Sequence, residues 1–235
     1  MAAGGEALFL AKRDGRETIV VASASGDVPL LATDEVPATN GGLIWFHGLN
    51  ALSASALAIG LDIGYDAIRA GLRPYGKEYA GAKLRTVFAE GFPMQVLFDS
   101  SGKAPAYAAA VTVTDKITVP GRKICVITVP GNRPDWAFAE SAEAVAGHFQ
   151  RYICFERREY LRGRKPGEIV SRLADALMAA GDPREAVATT GDHKDAALLL
   201  AREAKDEDFI VVFGTESMAT VDTYRRAFQE TRERA

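Results

Sequence analysis

Residues 122–135, Arg122-Lys123-Ile124-Cys125-Val126-Ile127-Thr128-Val129-Pro130-Gly131-Asn132-Arg133-Pro134-Asp135, form an apolar run that breaks at a Pro-Gly pair and passes straight into helix-compatible sequence. An apolar run of this length bounded by turn residues reads as a buried strand. The unit recurs on both sides: PMQVLFD (93–99), RYICFE (151–156), EAVATT (185–190) and DFIVVFG (208–214) are strand-like, and helical spacing fills 104–116, 135–148, 167–179, 192–204 and the chain from about 216. Strands separated by single helices imply right-handed βαβ units and a mostly parallel sheet covered on both faces. The expected fold is therefore α/β, a doubly wound, Rossmann-like domain over residues 86–235. Ligands of such sheets gather beyond the carboxyl ends of the strands, which points to the loops starting at Asp99, Pro130, Glu156, Thr190 and Gly214.

Upstream the rhythm differs. ALFLAK, ETIVVAS and VPLLATDEV alternate with Asp14-Gly15 and Gly26-Asp27, the pattern of a small antiparallel meander. LNALSASALAIGL then reads as a helix ending near Gly60, and DIGYDAIRAGLRPYG as a second, stopped by Gly71 and Pro74. A loop at Gly76 to Lys83 follows. Residues 1–85 are expected to form a separate region.

The 235 residues carry a net charge of −3 and are 48% hydrophobic, enough to fill a core, with no basic block of the kind that tracks nucleic acid. No apolar run approaches the ~18 residues of a membrane span, and MAAGGEALFLAKRDG becomes charged too early for a signal peptide. Neither nucleic acid nor membrane is expected as a partner, and the expected location is cytoplasmic. Cys125 and Cys154 lie in strand-like runs and are expected to be buried free thiols; their spacing fits no metal motif. His47, His148 and His193 are scattered and suggest surface or packing positions.

Three loops carry candidate chemistry, each with two readings. Val129–Asp135 leads into a helix whose free N–H groups favour an anion that Arg133 can clamp; it reads equally as a plain strand-to-helix turn with Asp135 as N-cap. Glu156–Glu168 is the densest charge cluster, either a guanidinium grip on carboxylate or phosphate or a solvated, self-paired run. Phe98-Asp99-Ser100-Ser101-Gly102-Lys103-Ala104 is not a Walker loop, because Leu97 and Ala104 stand where that motif requires glycine and a hydroxyl. Lys103 can still set a charge against a phosphate, and Asp99 can accept from a ribose or order a nearby loop; the alternative is a polar helix start.

In their order these loops resemble the late central domain and C-terminal domain of Mur ligases, from about residue 28 to the end. VPATNGG and the stretch 49–75, LNALSASALAIGLDIGYDAIRAGLRPY, look like the family's helix and the "Ir.GL" segment that follows it. Pro130-Gly131-Asn132-Arg133, Arg162-Gly163-Arg164-Lys165-Pro166-Gly167-Glu168 and VVFGTESMATVD resemble cyanophycin synthetase in particular, with its P-G-D-R turn, R-G-R-P-x-G-E stretch and P-E-S after a strand. The family's aspartate-tyrosine-alanine-histidine is here Asp99-Ser100-Ser101-Gly102.

The resemblance implies a ligase in which ATP, with Mg2+, phosphorylates a carboxylate and an amine attacks the acyl phosphate to form an amide. It assigns Arg85, Asp99 and Lys103 to the nucleotide and Lys103 with Arg133 to the reacting phosphate. Asn132, Arg133, Arg162, Arg164, Thr215 and Glu216 fall to the amino acid or peptide substrate; Arg157, earlier in the same loop, is expected to contribute little. The family's phosphate-binding loop belongs to the first half of its central domain, to which no stretch of this sequence corresponds. The resemblance thus implies a ligase component working with a partner subunit that carries the P-loop, and a homo-oligomer. The alternative is a non-catalytic binding or regulatory subunit that retains the fold.

Overall fold

Strand β1 (Ala7–Arg13) turns through Asp14 and Gly15, both in the left-handed region at φ 52° and 78°, so that Arg13 pairs with Arg16 of β2 (Arg16–Ser23). A two-residue hairpin needs that backbone, and Asp-Gly supplies it with little strain. β3 (Gly26–Ala32) completes an antiparallel sheet in the order β1-β2-β3. In this computed structural model, which describes residues 5–77, 84–215 and 217–234, the chain divides into two compact units, Met1–Ala82 and Lys83–Ala235.

In the first unit, α1 (Trp45–Gly60) and α2 (Tyr65–Leu72) cover the sheet around Ile19, Val21, Leu30, Leu31, Val36, Ala51 and Ile68. The meander and both helices are as expected, with two shifts. β3 stops at Ala32, beyond which Thr33–Glu35 and Pro37–Thr39 are 3-10 turns. Helix α1 starts at Trp45, four residues before the apolar stripe, and its first turn buries His47 and Gly48. Part of the loop expected at Gly76 to Lys83 lies outside the described residues.

The second unit is the doubly wound sheet. Its strands are β4 (Val87–Ala89), β5 (Gln95–Asp99), β6 (Lys123–Ile127), β7 (Arg151–Cys154), β8 (Val187–Thr189) and β9 (Phe209–Phe213), in the order β4-β5-β9-β6-β7-β8. All neighbours are parallel except β4, an antiparallel edge strand that three residues without periodicity did not announce. Helices α3 (Ala104–Thr114), α4 (Trp136–Glu143) and α5 (Glu168–Ala179) pack on one face through Tyr107, Phe138 and Leu173. Helices α6 (His193–Glu203) and α7 (Met218–Glu233) follow β8 and β9. Tyr224 of α7 meets Phe98 edge-on at 5.6 Å between ring centroids, which places α7 on the opposite face.

Because side chains alternate along a strand, Leu97, Cys125, Ile127, Tyr152, Cys154, Phe209, Val211 and Phe213 share the α3–α5 face. Val96, Phe98, Ile124, Val126, Ile153, Ile210 and Val212 are buried on the other. Both cysteines are buried free thiols, and burial pushes Cys154 up to about 12. The insertion of β9 between β5 and β6 brings the carboxyl ends of β5, β9, β6 and β7 side by side, with loops that depart to both faces. Among the described residues no helix is long and apolar enough to cross a membrane.

Candidate functional site

At that edge lies a cavity of about 540 Å³ walled by the loops after β5, β6 and β7, with Gly214 closing the end of β9. Arg85, Lys103, Arg133, Arg157 and Arg162 all line it, together with Ser100, Asn132 and Tyr160. Among the described residues no carboxylate does. Five cations around one concavity repel each other and focus a positive potential, and an anion relieves that repulsion. The Nε of Arg133 is buried with no hydrogen-bond partner. Burying such a donor unpaired is unfavourable, so a ligand oxygen is the natural acceptor.

The loops that carry these cations are held by local chemistry. Tyr107 of α3, fully buried, donates to the carbonyl of Thr128 at 2.6 Å and fixes the end of β6 under the cavity. Gly131 donates its N–H to the Tyr160 carbonyl at 2.9 Å, and a Cβ at Gly131 would lie 2.1 Å from the Leu161 carbonyl oxygen, so only glycine lets the β6 and β7 loops touch here. Tyr160 is a platform: the Arg157 guanidinium lies 4.0 Å and that of Arg162 5.1 Å from its ring centroid. Arg157 also donates to the Gly214 carbonyl at 3.3 Å and pairs with Glu159 at 3.1 Å.

Arg164 is set apart from the other candidate residues by its partners. It does not line the cavity. Its Nε donates to the Gly131 carbonyl at 2.9 Å, and Nη2 donates to the Arg133 carbonyl and to Asp135, both at 2.8 Å. Nη1 pairs with Glu168 at 2.7 Å, and the guanidinium lies 4.9 Å from the Phe138 ring centroid. The side chain is only 14% exposed and its donors are spent on protein, so it staples the two loops that present Arg133 and Arg162. Hydrogen bonding to Arg164 holds the Glu168 carboxyl down at about 2, with Lys165 N–H and Arg172 adding to the effect, and it holds Asp135 below the usual carboxylate range. Asp135 makes no side-chain N-cap; Arg164 and Arg172 take its carboxylate instead. Within the cluster 156–168, Arg164 pairs with Glu168 and Arg157 with Glu159, while Arg157 and Arg162 line the cavity.

Asp99 sits behind the cavity, 3% exposed. Its carboxylate accepts from the Thr86 hydroxyl and the Ser101 N–H, each at 2.6 Å, and from the Ser101 hydroxyl. Thr215 is fully buried, donates its N–H to the Asp99 carbonyl at 3.2 Å, and leaves Oγ1 without a protein partner. Glu216 lies outside the described residues. Of the residues the sequence nominated, Arg85, Lys103, Asn132, Arg133 and Arg162 come together; Asp99, Thr215 and Arg164 stand behind them. Sequence reasoning missed Tyr160 and set Arg157 aside; an aromatic between two arginines of one loop is the signal that could have found the platform.

The donor set suits phosphate or carboxylate. Among the described residues no group of three or more His, Cys, Asp or Glu side chains is placed to hold a metal ion.

No protein-family model matches the chain, and no curated protein matches it in sequence. Its fold is shared with solved ligase structures. E. coli FolC in complex with DHPP and ADP superposes with a TM-score of 0.62 at 19% identity, over 96% of this chain and 46% of its own. The UDP-N-acetylmuramate-alanine ligase MurC of Thermotoga maritima gives 0.59 at 12% identity, over 100% and 47%. A pseudomurein peptide ligase type C from Methanothermus fervidus gives 0.57 at 15% identity, over 95% and 41%. This chain therefore spans less than half the length of these ligases and has the fold of the corresponding part of Mur-type enzymes.

Proposed function

We propose that this chain is the C-terminal component of a cytoplasmic, ATP-dependent carboxylate–amine ligase of the Mur type, similar to cyanophycin synthetase, and that it works with a partner bearing the phosphate-binding loop. The observation that carries this reading is the cavity lined by Arg85, Lys103, Arg133, Arg157 and Arg162, with no carboxylate among the described residues, at the carboxyl edge of a sheet shared with ligases. ATP supplies the phosphoryl group that turns a carboxylate into an acyl phosphate. Lys103 and Arg133 then hold the negative charge that grows on the departing phosphate as an amine attacks the carbonyl, and positive groups fixed in place before the reaction stabilise that charge most. Asn132, Arg157 and Arg162 bind the anionic end of the substrate. A homo-oligomer of such components is the expected assembly.

A non-catalytic subunit is the second reading. It is favoured by Asp99, the aspartate the resemblance assigns to the nucleotide, whose carboxylate is occupied by Thr86 and Ser101. Calorimetry on the purified chain separates the possibilities. Inorganic pyrophosphate is expected to bind, and ATP to bind no tighter than about millimolar, worth only about 4 kcal/mol. Micromolar ATP binding or ATP hydrolysis by the chain alone would remove the need for a partner. Failure to form ADP and an amide after mixing with a P-loop-bearing ligase half and substrates would leave the non-catalytic reading.

A further inference from the structure

Leu84 and Thr86 both adopt left-handed backbone, at φ 52° and 53°, and both are buried. A β-branched residue is an outlier there, so something must hold Thr86 in place. The holding group is Asp99: it accepts the Thr86 hydroxyl at 2.6 Å, while the adjacent Ser100 N–H donates to the Leu84 carbonyl at 2.8 Å. Between these two anchored residues stands Arg85, exposed and lining the cavity. The same aspartate binds Ser101 through N–H and hydroxyl, and its carbonyl accepts from Thr215 N–H, so one residue joins the ends of β5 and β9 to the segment that opens the second unit.

We propose that Asp99 is a positioning residue for Arg85: with Thr86 it forms a latch that clamps the strained 84–86 segment so that the Arg85 guanidinium faces the anion cavity. Asp99 then acts on the ligand through Arg85, not by touching it. This rests on the reading of the cavity as an anion site. An ordinary β-strand entry at 84–86 would not need a buried carboxylate, and a nucleotide-binding aspartate would be expected in the cavity wall.

The latch predicts a specific pattern in the full chain, with pyrophosphate as probe in calorimetry and amide exchange as a ligand-free readout. Arg85→Ala is expected to weaken pyrophosphate about five- to tenfold, the lower range for a charge-assisted contact because Arg85 is exposed. Thr86→Val and Asp99→Asn are expected to match that loss, to add nothing in an Arg85→Ala background, and to raise exchange at Ser100 and residues 84–86 while β5 and β9 stay protected. Thr86→Ser, which keeps the hydroxyl, should retain both affinity and protection. Losses that add to that of Arg85→Ala, or exchange unmoved by Thr86→Val, would overturn the latch. A wild type that binds no pyrophosphate would overturn the cavity reading and the role of Arg85 with it, whatever the exchange shows. Thr86→Val keeps the test open if Asp99→Asn fails to fold.

Discussion

Arg162 and Arg164 are two residues apart and carry the same charge, yet their surroundings divide their roles. Arg162 is exposed, stacked on Tyr160 and aimed at the cavity, whereas Arg164 gives its donors to Gly131, Arg133, Asp135 and Glu168. Arg162→Ala is expected to cost pyrophosphate binding about 1–2 kcal/mol by calorimetry and to leave thermal stability nearly unchanged. Arg157→Ala is expected to weaken the same binding, because Arg157 shares the cavity wall. Arg164→Ala should lower both affinity and Tm, and Arg164→Lys should not restore them, because a single ammonium cannot reproduce the planar fork. Equal losses of affinity with unchanged Tm in all three variants would mean diffuse electrostatics and not a built site.

At the scale of elements, the site is a junction of loops from β5, β6, β7 and β9, and its geometry depends on how closely the β6 and β7 loops approach. Gly131→Ala would drive a methyl into the Leu161 carbonyl, so the variant is expected to lose about 1–3 kcal/mol of stability in denaturant titration, or more if the loops cannot part. Acid should open the same junction. Glu168 and Asp135 have carboxyls lowered in the folded state, so their contribution is fully present above the unfolded carboxylate value and is lost as pH falls, for Glu168 down through about 2. Amide exchange at Lys165, whose N–H donates to Glu168 at 3.2 Å, is expected to lose protection between about pH 4.5 and 2. If Glu168→Gln shows the same pH dependence, the staple is not its origin.

For the whole molecule, the two units have separate cores, one around Ile19, Val21 and Leu31 and the other around Leu97, Phe138, Tyr152 and Phe213. A core of its own is what lets a domain fold alone. Residues 84–235 expressed separately are expected to unfold in one cooperative transition by circular dichroism and to retain pyrophosphate affinity within about threefold of the full chain. A fragment that is folded but does not bind, while the full chain does, would overturn the placement of the anion site in this unit. The fold match extends over 95% or more of this chain but less than half of FolC and MurC.

Strand and helix order, the parallel sheet, the meander and the loops that matter were legible in the sequence, because apolar runs such as Lys123–Ile127, the Asp14-Gly15 turn and single-helix spacings are set by local sterics and periodicity. The arginines at 133 and 162 were legible too, as charges placed in carboxyl-edge loops. Tertiary structure alone decided which charges line the cavity. Arg164 and Asp99 read as candidate binding residues in one dimension, whereas the fold gives them protein partners 31 and 13 residues away. Strand β4 was hidden because it exists only through β5, a neighbour brought up by the fold; the Tyr160 platform, between two arginines of one loop, left a local signal that was not read.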